Sequence, residues 1–189
     1  LVFNTICHSC GGCALICPAK AITEKARVIG VVEEGQAGDV KVLTGYLHTG
    51  EASGAPIIKS LMDKLPEDND IIIDCPPGSA CIVMESIQKA DYCVLVAEPT
   101  LFGVHNLSMV TELVRLFKKP FGVVLNKCLP AANPAERFCV EQHINILAAI
   151  PYDEQLAQLN STGHIVAREH EQYRELFEKL LADIKREAS

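Results

Sequence analysis

The sequence predicts an α/β protein in which a mostly parallel sheet is wrapped by helices, with a small iron–sulfur segment at the N-terminus. Three observations carry this expectation. Four short apolar runs, around 71–73, 92–96, 121–125 and 144–149, lack polar alternation and so read as strands buried on both faces. Stretches with apolar residues at helical spacing separate them, the pattern of parallel strands joined by crossover helices. Ahead of these, Cys7, Cys10, Cys13 and Cys17, followed by Pro18, spell C-x2-C-x2-C-x3-C-P, a run that holds a cubane iron–sulfur cluster through thiolates.

In proteins with two such clusters, the fourth cysteine of each run ligates the other cluster, so one run implies a partner run. None follows in this sequence, which places the expected partner ahead of Leu1. A tetrahedral zinc site is the competing reading of four close cysteines, but zinc ligands usually come as two separated pairs. Cys75, Cys81, Cys93, Cys128 and Cys139 stand singly in apolar or helical surroundings and read as small buried hydrophobes. With no signal segment ahead of them, reduced thiols in a reducing, cytoplasmic compartment are expected.

Next along the chain, segments around 27–32 and 40–44 flank the turn-prone stretch 34–39 and predict a hairpin. Pro56 can open a helix, with Ile57, Ile58, Leu61, Met62 and Leu65 on one face and Pro66 ending it. Between the second and third apolar runs, Val104, Leu107, Val110, Leu113, Val114 and Phe117 repeat at helical spacing, and Lys118-Lys119-Pro120 closes that helix. Tyr173, Leu176, Phe177, Leu180, Leu181 and Ile184 form a last apolar stripe. Residues 169–187 carry six acids against four bases, so an anionic lipid surface would repel this helix and packing against the sheet is the favoured reading.

Composition narrows the function. At 189 residues and 49% hydrophobic, the chain has room for one sizeable α/β domain and a small appendage. A formal net charge of −7 lacks the basic field that nucleic-acid binding needs. No run of about 18 apolar residues exists, so no membrane span is expected.

The chemistry of the sheet centres on Asp74-Cys75-Pro76-Pro77-Gly78-Ser79, directly after the first apolar run. An aspartate at the carboxyl end of a buried parallel strand stands where α/β proteins bind ligands. It can order a magnesium ion or a water, and a glycine four residues on lets a backbone N–H approach a terminal phosphate. The plainer reading is a turn that Asp74 caps and the prolines stiffen. Among the histidines, His8 reads as a spacer inside the cysteine run and His48 and His105 as structural, while His143, His164 and His170 form no spaced ligand set.

The stretches I-I-I-D-C-P-P-G-S-A-C and A-D-Y-C-V-L-V-A-E-P-T-L-F-G-V-H-N-L within 71–107, together with the cysteine run, resemble the MinD, ParA and nitrogenase-iron-protein group of P-loop ATPases. The similarity is greatest to MinD-superfamily members that carry an inserted two-cluster ferredoxin module, and it extends over essentially the whole chain. By position, Asp74 and Gly78 resemble the family's switch II, the catalytic element that senses the γ-phosphate. Asn126 matches the asparagine set against the adenine ring, and Ile150-Pro151-Tyr152-Asp153 matches the loop beside the base, which makes Pro151 and Asp153 candidate cofactor-binding residues. Read from the residues alone, Asn126 is equally an ordinary strand-end turn residue.

The resemblance implies residues 1–26 as the second half of a ferredoxin-like module and 27–189 as the C-terminal part of the ATPase domain. It implies a 4Fe-4S cluster on the cysteines, ATP with Mg2+, a face-to-face homodimer and a redox partner protein. No G-x-x-x-x-G-K-[ST] or K-G-G-x-G-K-[ST] occurs, so the phosphate cradle is absent from this chain and is expected upstream. A central strand of about five apolar side chains would be lost with it, about 7–15 kcal/mol at about 1.5–3 each. The expected function is an iron–sulfur ATPase coupling hydrolysis to electron transfer. The alternative is a non-hydrolytic electron carrier or iron–sulfur scaffold.

Overall fold

The computed structural model describes residues 7, 10–51, 53–67, 69–79 and 81–188; His8 lies outside the described residues. The chain divides into two compact units, Leu1–Pro76 and Pro77–Ser189.

The first unit contains a short helix α1 (Gly12–Ile16), strands β1 (Gly30–Ala37) and β2 (Val40–Leu47), and helix α2 (Ala55–Met62). The hairpin is longer than the sequence suggested. Residues 34–37, read as part of the turn, belong to β1: Ala37 pairs with Val40 and only Gly38-Asp39 reverse the chain. An ion pair of Lys41 with Glu34 across the strands, 2.6 Å, accompanies this tighter register. Helix α2 packs on the hairpin where the side chains vanish: a Cβ at Gly45 would lie 2.5 Å from Ile57 Cγ2, and one at Gly30 would lie 2.0 Å from the carbonyl oxygen of Tyr46.

The expected strand at 71–73 is a correction. These residues join neither sheet, and Ile71 and Ile72 are 40% and 89% exposed. Apolar residues supply a strand's packing, but its backbone N–H and C=O groups need a neighbouring ladder, and no described strand offers one.

In the second unit the order is α3 (Cys81–Lys89), β3 (Cys93–Ala97), α4 (Leu101–Leu116), β4 (Phe121–Cys128), α5 (Pro134–Glu141), β5 (Ile146–Pro151), α6 (Glu154–Ser161), α7 (Val166–Glu169) and α8 (Glu171–Ala188). The three strands form a parallel sheet in the order β3-β4-β5. One core joins Cys93, Leu95, Ala97, Val123 and Leu125 to Val83 and Ile87 of α3, Leu107 and Val114 of α4, and Ala135 and Cys139 of α5. A second joins Val124 and Ile150 to Tyr173, Leu176, Phe177 and Leu180 of α8. Helices thus cover both faces, and the C-terminal helix packs on the sheet as its stripe predicted.

Burial on both faces holds for β4 but not for β3, where burial alternates and Val94 and Val96 are 38% and 64% exposed. The reason is position: β3 is an edge strand, and the second core reaches only β4 and β5. Near the C-terminus of α8, Glu187 accepts hydrogen bonds from the Tyr92 hydroxyl and from Asn145 Nδ2. Among the described residues, no helix is long and apolar enough to cross a membrane.

Candidate functional site

Because the strands are parallel, their carboxyl ends converge on one edge, and three segments meet there: Glu98-Pro99-Thr100 after β3, Asn126-Lys127-Cys128 in the last turn of β4, and Pro151-Tyr152-Asp153 at the end of β5. Thr100 caps α4, its hydroxyl accepting from Gly103 N at 2.9 Å. That cap fixes where β3 gives way to helix and so where Glu98 stands.

Asn126 lies within β4, two residues before its end at Cys128, and the strand is irregular at that point. Leu125 pairs with Ala149 and Cys128 with Pro151, so β4 carries one residue more than β5 across this interval, a bulge. Lys127 takes up the extra residue with a left-handed backbone, φ 55°. Asn126 Oδ1 accepts from Lys127 N at 2.9 Å, and Tyr152 N donates to Cys128 O at 2.9 Å to close the ladder again.

The bulge sends the Lys127 ammonium across to Glu98 Oε1 at 2.6 Å. That hydrogen bond, with the carboxylate's charge, holds the Lys127 pKa above its ordinary value. Both side chains are about half exposed, and an ion pair so exposed stabilises by less than a left-handed non-glycine backbone costs. The pair alone does not account for the bulge.

Beside it lies an open cavity of 520 Å³ walled by Cys128, Leu129, Pro130, Ala149, Pro151 and Tyr152. Its walls are apolar side chains except for the phenol of Tyr152, which is 53% exposed. Burial pushes the Cys128 thiol pKa up, outweighing the opposite effect of Asn133 Nδ2, which donates to its sulfur at 3.6 Å, so this thiol is not primed as a nucleophile. Of the residues expected here from the sequence, Asn126 and Pro151 stand at this edge. Asp153 adjoins it but is engaged by the fold: Oδ1 caps α6 by accepting from Gln155 N at 2.8 Å, and Oδ2 accepts from the Tyr173 hydroxyl at 2.6 Å.

Asp74 is exposed in the first unit, after a run that forms no strand. Gly78 belongs to the second unit and has φ 95°, a conformation that side chains with a Cβ rarely adopt. The cysteine run surrounds α1, whose start is set by Gly11 at φ 75°. Cys7, Cys10 and Cys13 are exposed and Cys17 is half-buried, all as free thiols. Four free thiols suit an iron–sulfur cluster chemically. Among the described residues, no three Cys, His, Asp or Glu side chains are gathered closely enough to hold a metal ion, so the ligand set rests on spacing. Of the remaining cysteines, Cys93 and Cys139 are buried as expected, whereas Cys75 is exposed.

Sequence reasoning missed Lys127, its partnership with Glu98, and Cys128, Leu129, Pro130 and Ala149 as a cavity wall. A bulge has no compositional mark when its left-handed position is a lysine rather than a glycine.

No protein-family model matches the chain. It is similar to Uncharacterized protein MJ0579 of Methanocaldococcus jannaschii, 30% identical over 132 residues, 67% of this chain and 47% of that protein. It is also similar to Uncharacterized protein MJ0578 of the same organism, 28% identical over 160 residues, 82% of this chain and 55% of that protein. The chain therefore spans about half the length of the curated relatives it matches.

Proposed function

We propose that this chain is the C-terminal part of an iron–sulfur-containing, MinD-like P-loop ATPase. The observation that carries the nucleotide half of this reading is the edge just described. Pro151 walls an apolar cavity at the carboxyl ends of parallel strands, the place where open α/β sheets take their ligands, and Asn126 stands two residues before Cys128 of the same wall. The cysteine spacing carries the other half. Cys7, Cys10 and Cys13 hold one 4Fe-4S cluster whose fourth ligand is upstream, and Cys17 completes a neighbouring cluster. In this reading the phosphate cradle is likewise upstream.

The cluster supplies one-electron redox chemistry, and ATP with Mg2+ binds across a homodimer that works with a redox partner in the cytoplasm. Nucleotide can act on the redox module only by binding two conformations with different affinity. The absence of a P-loop from these 189 residues favours a second reading, an electron carrier or iron–sulfur scaffold without hydrolysis.

Anaerobic purification of the protein at its full length tests the cluster: a brown colour with broad absorbance that dithionite bleaches is expected, and a colourless zinc protein rules it out. ATP turnover separates the two readings. Hydrolysis lost in Asp74→Ala, with the fold retained because Asp74 is exposed, supports the ATPase. ATP neither bound nor hydrolysed by the clustered protein leaves the electron carrier.

A further inference from the structure

Among the described residues of the second unit, three other than glycine have a left-handed backbone: Lys118, Lys127 and His143. Two of them have a structural cause. Lys118 follows α4 and His143 follows α5, and each turns the chain so that the next residue closes the helix, Lys119 N bonding Val114 O and Ile144 N bonding Cys139 O. Lys127 ends no helix. It sits inside β4, in the bulge, at the edge where the sheet would take a ligand.

What the bulge achieves is placement. It sets a long cationic side chain directly before Cys128, where the cavity wall begins, and near enough to Tyr152 for the two to interact electrostatically. Its present partner, Glu98, is 49% exposed, so water can take over that carboxylate at little cost if an anion displaces it. An ammonium on a flexible stem is suited to such an exchange, since it binds as a point charge and needs no fixed fork of donors. The 520 Å³ cavity, within the range of about 300–1,000 Å³ typical of small-molecule sites, is apolar and open on the same edge.

We propose that Lys127 is a ligand-contacting residue that exchanges the Glu98 carboxylate for a phosphate oxygen of a nucleotide whose planar ring lies in the cavity against Tyr152. This rests on the nucleotide reading above and adds to it a cation supplied by β4 itself, separate from any P-loop lysine. The phosphate oxygen accepts a hydrogen bond from Lys127 Nζ, and Glu98 turns to solvent.

The test is calorimetric titration of the full-length protein with adenosine, AMP, ATP and inorganic phosphate, in the natural form and in Lys127→Ala, Lys127→Gly and Lys127→Arg. AMP is expected to bind more tightly than adenosine, and this preference falls about tenfold when a charge-assisted hydrogen bond is lost in the alanine and glycine variants. Arginine retains most of it, and adenosine affinity stays within about twofold throughout because the ring's contacts are untouched. Lys127→Gly should also raise the melting temperature, since glycine adopts the left-handed backbone freely. A residue held for stability alone would not pair that gain with a loss of AMP discrimination. An AMP-to-adenosine ratio unchanged in both variants overturns the role of Lys127 and leaves the cavity standing as a ring site. Inorganic phosphate bound as tightly as AMP also overturns the proposal, because the ring then contributes nothing. If adenosine, AMP and ATP all fail to bind, the nucleotide reading itself fails.

Discussion

The hydroxyl of Tyr173 donates a hydrogen bond to Asp153 Oδ2 at 2.6 Å, while Oδ1 of the same carboxylate caps α6. One aspartate therefore fastens α8 to the start of α6, directly after the Pro151-Tyr152 wall of the cavity. The hydrogen bond from Tyr173, then those from the backbone of Gln155 and Leu156, hold the Asp153 pKa below its ordinary 3.8. Burial, then the bond to Asp153, pushes the Tyr173 phenol up to about 12 from 10.0.

The sign of the pH dependence follows. A depressed carboxylate contributes stability that is present above its unfolded pKa of 3.8 and is lost as pH falls through the lower folded value. A raised phenol contributes stability that is complete below its unfolded pKa of 10.0 and is lost as pH rises toward about 12. Denaturant unfolding of the natural protein and of Tyr173→Phe should therefore differ most between these limits, with the gap narrowing beyond each. Asp153→Ala, which also removes the helix cap, should lower the melting temperature further than Tyr173→Phe. A gap between the natural protein and Tyr173→Phe that is constant from pH 3 to 11 would refute the linkage.

A second expectation concerns Thr111, which is 1% exposed in α4 with a hydroxyl that has no hydrogen-bond partner among the described residues. Desolvating a hydroxyl without replacing its bond costs about 1–3 kcal/mol. Valine keeps the β-branched shape and drops the polar atom, so Thr111→Val should stabilise the protein by about 1 kcal/mol or more. Thr111→Ser keeps the unpaired hydroxyl and removes a buried methyl, so it should destabilise by about 1 kcal/mol. Chemical denaturation of both variants checks the opposite signs.

The strands with ladders, β3, β4 and β5, and the long helices α4 and α8 were legible in the sequence because continuous apolar runs mark the strands and apolar residues at helical spacing mark the helices. The run at 71–73 was misread because its composition is that of a buried strand while pairing is a property of the neighbours, which composition does not encode. The same limit explains Val94 and Val96: an edge strand and a central strand read alike until the strand order is known. Asn126 and Pro151, singled out by resemblance, stand at the carboxyl edge of the sheet. Asp153, singled out in the same way, stands at a helix start, where its carboxylate caps α6 and accepts from Tyr173. Lys127 was invisible because its importance lies in one inserted residue of register and not in its type.

The hairpin offers a third expectation. A methyl added at Gly30 would sit 2.0 Å from the carbonyl oxygen of Tyr46, and 2.4 Å from Ile57 Cδ1. The isoleucine can rotate away, but the carbonyl belongs to the facing strand, whose place is set by the Gly30–Leu47 and Val31–Tyr46 pairs. Gly30→Ala should therefore open the start of the ladder, and amide exchange should accelerate across 30–33 and 44–47 and in α2, whose Ile57 packs there. The end near the Gly38-Asp39 turn, held by the Glu34–Lys41 pair, should be affected least.

The cysteine run yields a last expectation, which separates its four ligands by function. If Cys7, Cys10 and Cys13 serve one cluster and Cys17 its neighbour, serine at Cys17 should perturb a different cluster from serine at any of the other three. Cys13 lies in α1 and Cys17 is the residue that caps its C-terminal end, four positions on, so sequence proximity alone would assign them to the same metal. Electron paramagnetic resonance of the reduced full-length protein distinguishes the cases. Under the shared arrangement, Cys7→Ser, Cys10→Ser and Cys13→Ser all alter one signal, while Cys17→Ser spares it and alters the other. One common signal, lost alike in all four variants, would mean that the run encloses a single cluster and needs no second run upstream.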